Sequence, residues 1–415
     1  MARGECYIDL CDESRYQIRV TPAGWQVVPE SEIKFLRHPG MASLPRPVSG
    51  GDLRDINRYL NLDRDDLLLV LVWLTFVVQR HESYPILIIS GVQGSGKTTL
   101  TRVLRKLVDP AVAELTDVPR SRRDLAIAAS QSHLLALDNL GAVDASLADA
   151  MCRVATGGGF RTRRLYTNRE EVIFTFRNPQ IINGIGDVVS RPDLLDRALL
   201  VNMKPIDEKE RRDEQQFWSD FRLDQASLFG AMLDAIVAGV GRLESIRIPA
   251  LPRMADFARW GLAVSEALGF CPEDFEAAYQ RNLEKITGTT VEASPVAFVI
   301  SRFANSQSQK RYSGTMTELL RELNAFIEKK DPRLSSSQPI ERRHPSWPKS
   351  ANLLGIEIRR VQPALAKLGI NCECRHTNRG TVIDLSMATA SENADDGIGG
   401  FVTEELERAQ SVAAS

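Results

Sequence analysis

Residues Gly91-Val92-Gln93-Gly94-Ser95-Gly96-Lys97-Thr98 form an unbroken G-x-x-x-x-G-K-T run. Glycines at these intervals let backbone N–H groups close around phosphate oxygens. A helix opening at Lys97 adds the positive end of its dipole. In this arrangement Lys97 reaches the β- and γ-phosphates of ATP, the Thr98 hydroxyl holds Mg²⁺, and Thr99 lies in the same first turn. The flanks fit. Tyr84 to Ser90 is apolar and β-branched, suited to a buried parallel strand, and Thr99 to Val108 has apolar residues at helical spacing.

A phosphate loop becomes an ATPase site only with further groups, and candidates follow in order. His133-Leu-Leu-Ala-Leu-Asp138 is an apolar run ending in a carboxylate, so Asp138 is expected in the Mg²⁺ shell. The next residue, Asn139, can orient water but cannot accept its proton. Slow hydrolysis, a base elsewhere (Asp144 is the nearest downstream) and a water-positioning amide all stay open. Gln180-Ile-Ile-Asn183 reads as a strand tipped by Asn183, a residue placed to sense the γ-phosphate or hold the attacking water. Arg197, with Arg191 as the alternative, precedes the apolar strand 198–203 and is a candidate to stabilise transition-state charge on a neighbouring subunit's nucleotide. Between these lies Gly157-Gly-Gly-Phe160-Arg161-Thr-Arg163-Arg164-Leu-Tyr166. Arginines interleaved with aromatics suit a nucleic-acid backbone and its bases, so Arg161, Arg163, Arg164 and Tyr166 are the candidate DNA contacts. A solvated basic turn is the competing reading.

These residues need elements to hold them. Residues 1–50 alternate and turn, as a small β-rich module does, and 51–82 reads as a helical linker. Residues 83–206 alternate short apolar strands with helices, the α/β pattern of a parallel-sheet core. Residues 207–290 read as a helical lid. Residues 291–385 read as helix, helix, hairpin, the order of a winged helix, with Thr315 as a helix cap and a turn at Asn378-Arg379-Gly380. Residues 386–415, small and acidic, are expected to be a disordered tail. The formal charge of −2 excludes a global basic field, so any nucleic-acid surface must be local. Six scattered cysteines without a C-x-x-C pair point to reduced thiols and a cytoplasmic setting. The longest apolar run, twelve residues from Leu67 to Val78, is too short for a membrane span.

Taken in order, the pieces Gly91 to Thr98, Asp138, Thr156-Gly157-Gly158 to Tyr166, Asn183 and Arg197 resemble the superfamily 3 helicase core of phage, plasmid and viral primase–helicases. The resemblance covers roughly residues 83–206. It implies an AAA+-like ATPase using ATP and Mg²⁺, acting as a hexameric ring on single-stranded DNA, with a separate primase or replication factor as partner. Asn139 departs from the acidic residue common at that place, and with only about 50 residues ahead of the linker a primase activity is not expected of this chain. The alternative is an ATP-gated switch that binds duplex DNA through the winged helix without unwinding it.

Overall fold

In the computed structural model the described residues are 5–31, 33–140, 144–163, 171–184, 191–307, 310–328, 347–377 and 380–387. They divide into two compact units, one drawn from residues 5–184 and 196–282, the other from 191–195 and 283–387.

The first unit is organised by a parallel sheet. Its strands are β4 (Ile86–Gly91), β5 (Leu135–Leu137), β8 (Gln180–Asn183) and β9 (Ala198–Met203), in the order β5-β8-β4-β9. Ile86 to Ile89 are all buried, as expected for a strand covered on both faces. The register aligns Ile89 with Asn183 and Gly91 with Met203, so the carboxyl ends of β4, β8 and β9 lie together. Helices α1 (Arg64–Val77), α2 (Lys97–Val108), α3 (Arg122–Gln131) and α4 (Ala145–Thr156) belong to the same unit. α1 is buried all round from Leu67 to Val77, which explains why its sequence shows no polar stripe. Its Asp63 cap accepts from the Asp66 N–H at 2.9 Å, and Trp73 donates to the Pro85 carbonyl at 2.9 Å just ahead of β4.

The edges of this sheet are held by side chains. Asn178 donates its amide to the carbonyls of Ala129, Ser132 and His133, fixing the turn that feeds β5. On the other edge, Asn282 accepts from the Leu200 N–H at 3.1 Å and donates to the Leu200 carbonyl at 2.8 Å. That amide does what a further strand would do for β9, whose outer face is otherwise an open edge. Asn282 stands on α8 (Pro272–Ala293); α6 (Glu214–Arg242) and α7 (Ala255–Val264) complete the helical part of this unit. By length and composition alone α6 could cross a membrane, but half of its apolar window is buried inside the protein.

At the amino end, β1 (Cys6–Asp9), β2 (Gln17–Thr21) and β3 (Gly24–Val28) form an antiparallel meander. Trp25 of β3 donates to Asp234 of α6 at 2.7 Å, and Val48 N–H donates to the Ala226 carbonyl at 3.0 Å. Gly230 allows the close approach of that linker, because a Cβ there would stand 1.9 Å from the Val48 carbonyl oxygen.

The second unit contains α9 (Pro295–Ser306), β10 (Arg311–Thr315), α10 (Met316–Glu328), α11 (Ala351–Lys367), β11 (Ile370–Thr377) and β12 (Gly380–Met387), with antiparallel sheet order β10-β12-β11. Val299, Leu319, Leu323, Leu354, Ile358, Leu365 and Ile383 are among its core residues. The sequence pattern suggests a helix from Ser313, but Arg311 to Thr315 pair with β12 and the helix begins at Met316. Thr315 still caps it. Its hydroxyl accepts from the Glu318 N–H at 3.2 Å and Glu318 accepts from the Thr315 N–H at 2.7 Å, a reciprocal capping box. The 386–415 tail expected to be disordered lies, beyond Met387, outside the described residues.

Candidate functional site

The glycine run forms the turn between β4 and α2. Gly91, Gly94 and Gly96 have φ of 154°, 79° and 88°. A Cβ on Gly91 would meet the Met203 carbonyl oxygen at 2.7 Å and Ser95 Oγ at 2.8 Å; one on Gly96 would meet Ile206 Cδ1 at 3.3 Å. Backbone curvature and close packing against the segment after β9 therefore both demand glycine here. Val92, Gln93 and Gly94 are exposed, while Ser95 is buried and its Oγ has no hydrogen-bond partner among the described residues.

Lys97 opens α2 and folds back over the turn, its ammonium donating to the Gly91 and Val92 carbonyls at 2.8 Å each. Burial lowers its pKa from the ordinary lysine value, and the charge of Asp138 works in the opposite direction. Lys97 and Asp138 thus feel each other although the whole of α3 lies between them in sequence. Thr98 is exposed in the first turn of α2 and Thr99 is half-buried. The exposed turn, the N–H groups of α2's first turn, the lysine ammonium, a hydroxyl and a nearby carboxylate thus lie at one end of the sheet, and helix amino ends with such groups favour anions.

Asp138 follows β5, its N–H donating to the Thr116 carbonyl at 3.1 Å. Asn139, exposed, has a left-handed φ of 54°, a conformation asparagine tolerates better than most residues. It is held there from β8. The Asn183 side chain, 1% exposed, accepts from the Asn139 N–H at 2.8 Å and donates to Thr101 Oγ1 at 3.2 Å. Thr101 in turn donates to the Lys97 carbonyl at 3.0 Å, and Leu140 N–H donates to the Asn183 carbonyl at 2.9 Å. Asn183 therefore ties the turn that follows β5, with Asp138 and Asn139, to the helix beginning with Lys97. Thr101 was not singled out by the sequence, although its position four residues after Lys97 places it on the same helix face. Asp144 caps α4, accepting from the Leu147 N–H at 2.8 Å.

Arg197 immediately precedes β9, and its carbonyl accepts from the Ile86 N–H at 2.9 Å. It stands at the amino ends of the parallel strands, away from the glycine turn at their carboxyl ends. Arg191 belongs to the other unit, 3.8 Å from Asp193. Arg253 is ion-paired to Asp196 at 2.5 Å.

The glycine–arginine segment becomes a hairpin. Gly157, φ 83°, ends α4, and Gly158 N–H donates to the Arg153 carbonyl at 2.7 Å. Strands β6 (Gly159–Arg163) and β7 (Glu171–Thr175) then pair antiparallel, Arg161 opposite Ile173 and Arg163 opposite Glu171. Arg164 and Tyr166 lie outside the described residues.

A parallel sheet carrying a glycine turn, a lysine and a carboxylate at the carboxyl ends of its strands defines a mixed α/β protein, and in such sheets ligands bind at those strand ends. The family model of the actinomycete integrative conjugative element replication protein matches residues 56–287, and that of the AICE RepA C-terminal domain matches residues 296–396. The chain belongs to this family of replication proteins from mobile elements. Among solved structures it is similar to the NrS-1 C-terminal region in its A form, at 13% identity and TM-score 0.38, covering 93% of this chain and 97% of that one. It is also similar to JCV helicase bound to a small molecule, at 12% identity and TM-score 0.26, covering 55% and 66%. TM-scores this low carry no argument. A search of curated proteins finds no match.

Proposed function

We propose that this replication protein is an ATP-driven DNA translocase or helicase that works as a ring of identical subunits. The carrying observation is the meeting of Lys97, Asp138 and the Asn183 brace at one edge of the sheet. Bound ATP–Mg²⁺ supplies the triphosphate whose hydrolysis drives movement. Lys97 and the N–H groups of the Gly91 to Thr99 segment hold the phosphates. Thr98 and Asp138 hold the metal. Asn183 fixes the backbone of Asn139, whose exposed amide can orient water but cannot take its proton. Arg197 stands at the opposite edge, about 20 Å from the glycine turn for a six-residue strand, so it serves a neighbouring subunit's nucleotide. The β6–β7 hairpin, with Arg161, Arg163, Arg164 and Tyr166 on and beyond it, grips single-stranded DNA.

The test is ATP hydrolysis with and without single-stranded DNA, beside a mass measurement in ATP. Stimulation by DNA, an ATP-dependent oligomer and inactivity of Lys97→Ala are expected. Hydrolysis indifferent to DNA in a persistent monomer overturns the reading.

Asn139 in place of a carboxylate favours one second reading, an ATP-gated switch that binds duplex DNA through the second unit, whose element order is that of a winged helix. Tight ATP binding with slow turnover and no strand displacement would select it.

A further inference from the structure

The second unit presents one helix face that neither its core nor the nucleotide site uses. On α11, Asn352, Leu353, Ile356, Arg359, Arg360, Pro363 and Lys367 are exposed, while Leu354, Ile358, Val361 and Leu365 are buried. Steps of three and four put the exposed set on a single face. Leu353 and Ile356 are 49% and 52% exposed, an unusual placement for two large aliphatic side chains one turn apart. Lys349, just ahead of the Ser350 cap, is also exposed. The face is thus graded: apolar with one amide at its amino end, cationic towards its carboxyl end. Glu357, 3.8 Å from Arg360, is the only carboxylate on the helix.

The cationic carboxyl half of this face matches a polyanion, and the amino-terminal residues of a helix laid in a major groove are those that meet base edges. Leu353 and Ile356 offer no hydrogen bond. The feature of a major groove that rewards aliphatic contact is the thymine C5-methyl group, and Asn352 can bond bidentately to the adenine edge. Resting on the reading that the second unit binds duplex DNA, we propose that α11 reads a thymine-rich duplex site, with Leu353 and Ile356 packed on thymine methyls and Arg359, Arg360 and Lys367 on phosphates.

The experiment uses the full chain and a random-sequence 25-base-pair duplex library, followed by fluorescence anisotropy on the enriched duplex and on the same duplex with deoxyuridine replacing thymidine. Base pairing is kept and only methyls are removed. Selection should enrich A·T steps, and removal of each thymine methyl that α11 covers should weaken binding about fourfold. Leu353→Ala with Ile356→Ala should abolish the thymine-over-uracil preference while leaving binding to non-specific duplex. Arg359→Ala should weaken every duplex alike and flatten the salt dependence by about one phosphate's worth. Duplex binding that ignores deoxyuridine, or enrichment of G·C sequence, overturns the proposal and leaves duplex binding intact. Absence of any duplex binding overturns the reading on which it rests. A change in oligomeric mass in the Leu353→Ala and Ile356→Ala variant, with base preference unchanged, would assign the face to protein contact and overturn it too.

Discussion

Replacing Asn183 by alanine separates positioning from phosphate sensing. The Asn183 side-chain Oδ1 is the acceptor for the Asn139 N–H at 2.8 Å, and its Nδ2 donates to Thr101 Oγ1 at 3.2 Å, in a site 1% exposed. Truncation leaves the backbone N–H of Asn139, itself in the left-handed region, without its partner. One orphaned donor in a poorly hydrated site costs about 1–3 kcal/mol, and the missing amide leaves a small void besides. A loss of about 2 kcal/mol shifts the midpoint of a unit this size by about 4–8 °C. Asn183→Asp keeps the acceptor for Asn139 and loses the donor to Thr101, so its thermal loss should be smaller. The assays are far-ultraviolet circular dichroism on heating and ATP turnover at a temperature where both variants are folded. Positioning predicts that stability and turnover fall together in Asn183→Ala and are partly kept in Asn183→Asp. A variant that melts within about 1 °C of the parent yet has lost turnover would refute the brace and return Asn183 to direct contact with phosphate or water.

Three further outcomes follow from packing, protonation and sheet polarity. His81 stacks on Phe76 at 3.6 Å, and burial pushes its pKa from 6.5 down to about 4. The unfolded chain therefore binds the extra proton between those values, and stability falls as pH drops from 6.5 to 4, by up to about 3 kcal/mol. His81→Phe should flatten that part of a urea-denaturation series measured against pH; an unchanged slope would exclude His81 as its source. Gly261→Ala would drive a Cβ to 2.0 Å from the Phe275 ring, which is buried and stacked on Tyr279, so thermal unfolding should show a loss of about 2–3 kcal/mol; a neutral change would contradict that packing. If Arg197 serves a neighbour, Lys97→Ala and Arg197→Ala proteins should each be inactive and regain about a quarter of parental ATPase on equal mixing, since only one pairing in four joins an intact loop to an intact arginine. No recovery on mixing would place Arg197 outside the intersubunit site.

The glycine turn was legible because strand, turn and helix are contiguous and each has its own residue signature. β4 and α2 fall where apolar runs flank Gly91 to Thr98. Thr315 was legible as a cap because its hydroxyl and Glu318 act within one helical turn, whereas β10 was not. Arg311 to Thr315 carry no strand alternation and pair because β12, some seventy residues later, offers its edge. The Asn183 brace was hidden for the same reason. Its partners lie 44 residues before it in Asn139 and 82 before it in Thr101, and no local pattern joins them. That β8 inserts between β5 and β4 likewise follows from tertiary pairing, which sequence order leaves open.

Strand order decides what each polar residue can do. With β8 between them, Asp138 and Lys97 stand one strand apart, too far for the carboxylate to neutralise the lysine directly yet near enough to raise its pKa against burial. A direct ion pair would hold the ammonium on Asp138; instead it rests on two neutral carbonyls of the turn, which phosphate oxygens can outcompete. The intervening strand contributes an asparagine, whose neutral amide can brace both sides without consuming either charge. The same parallel polarity carries Arg197 to the other end of the sheet, away from Lys97, Asp138 and Asn183.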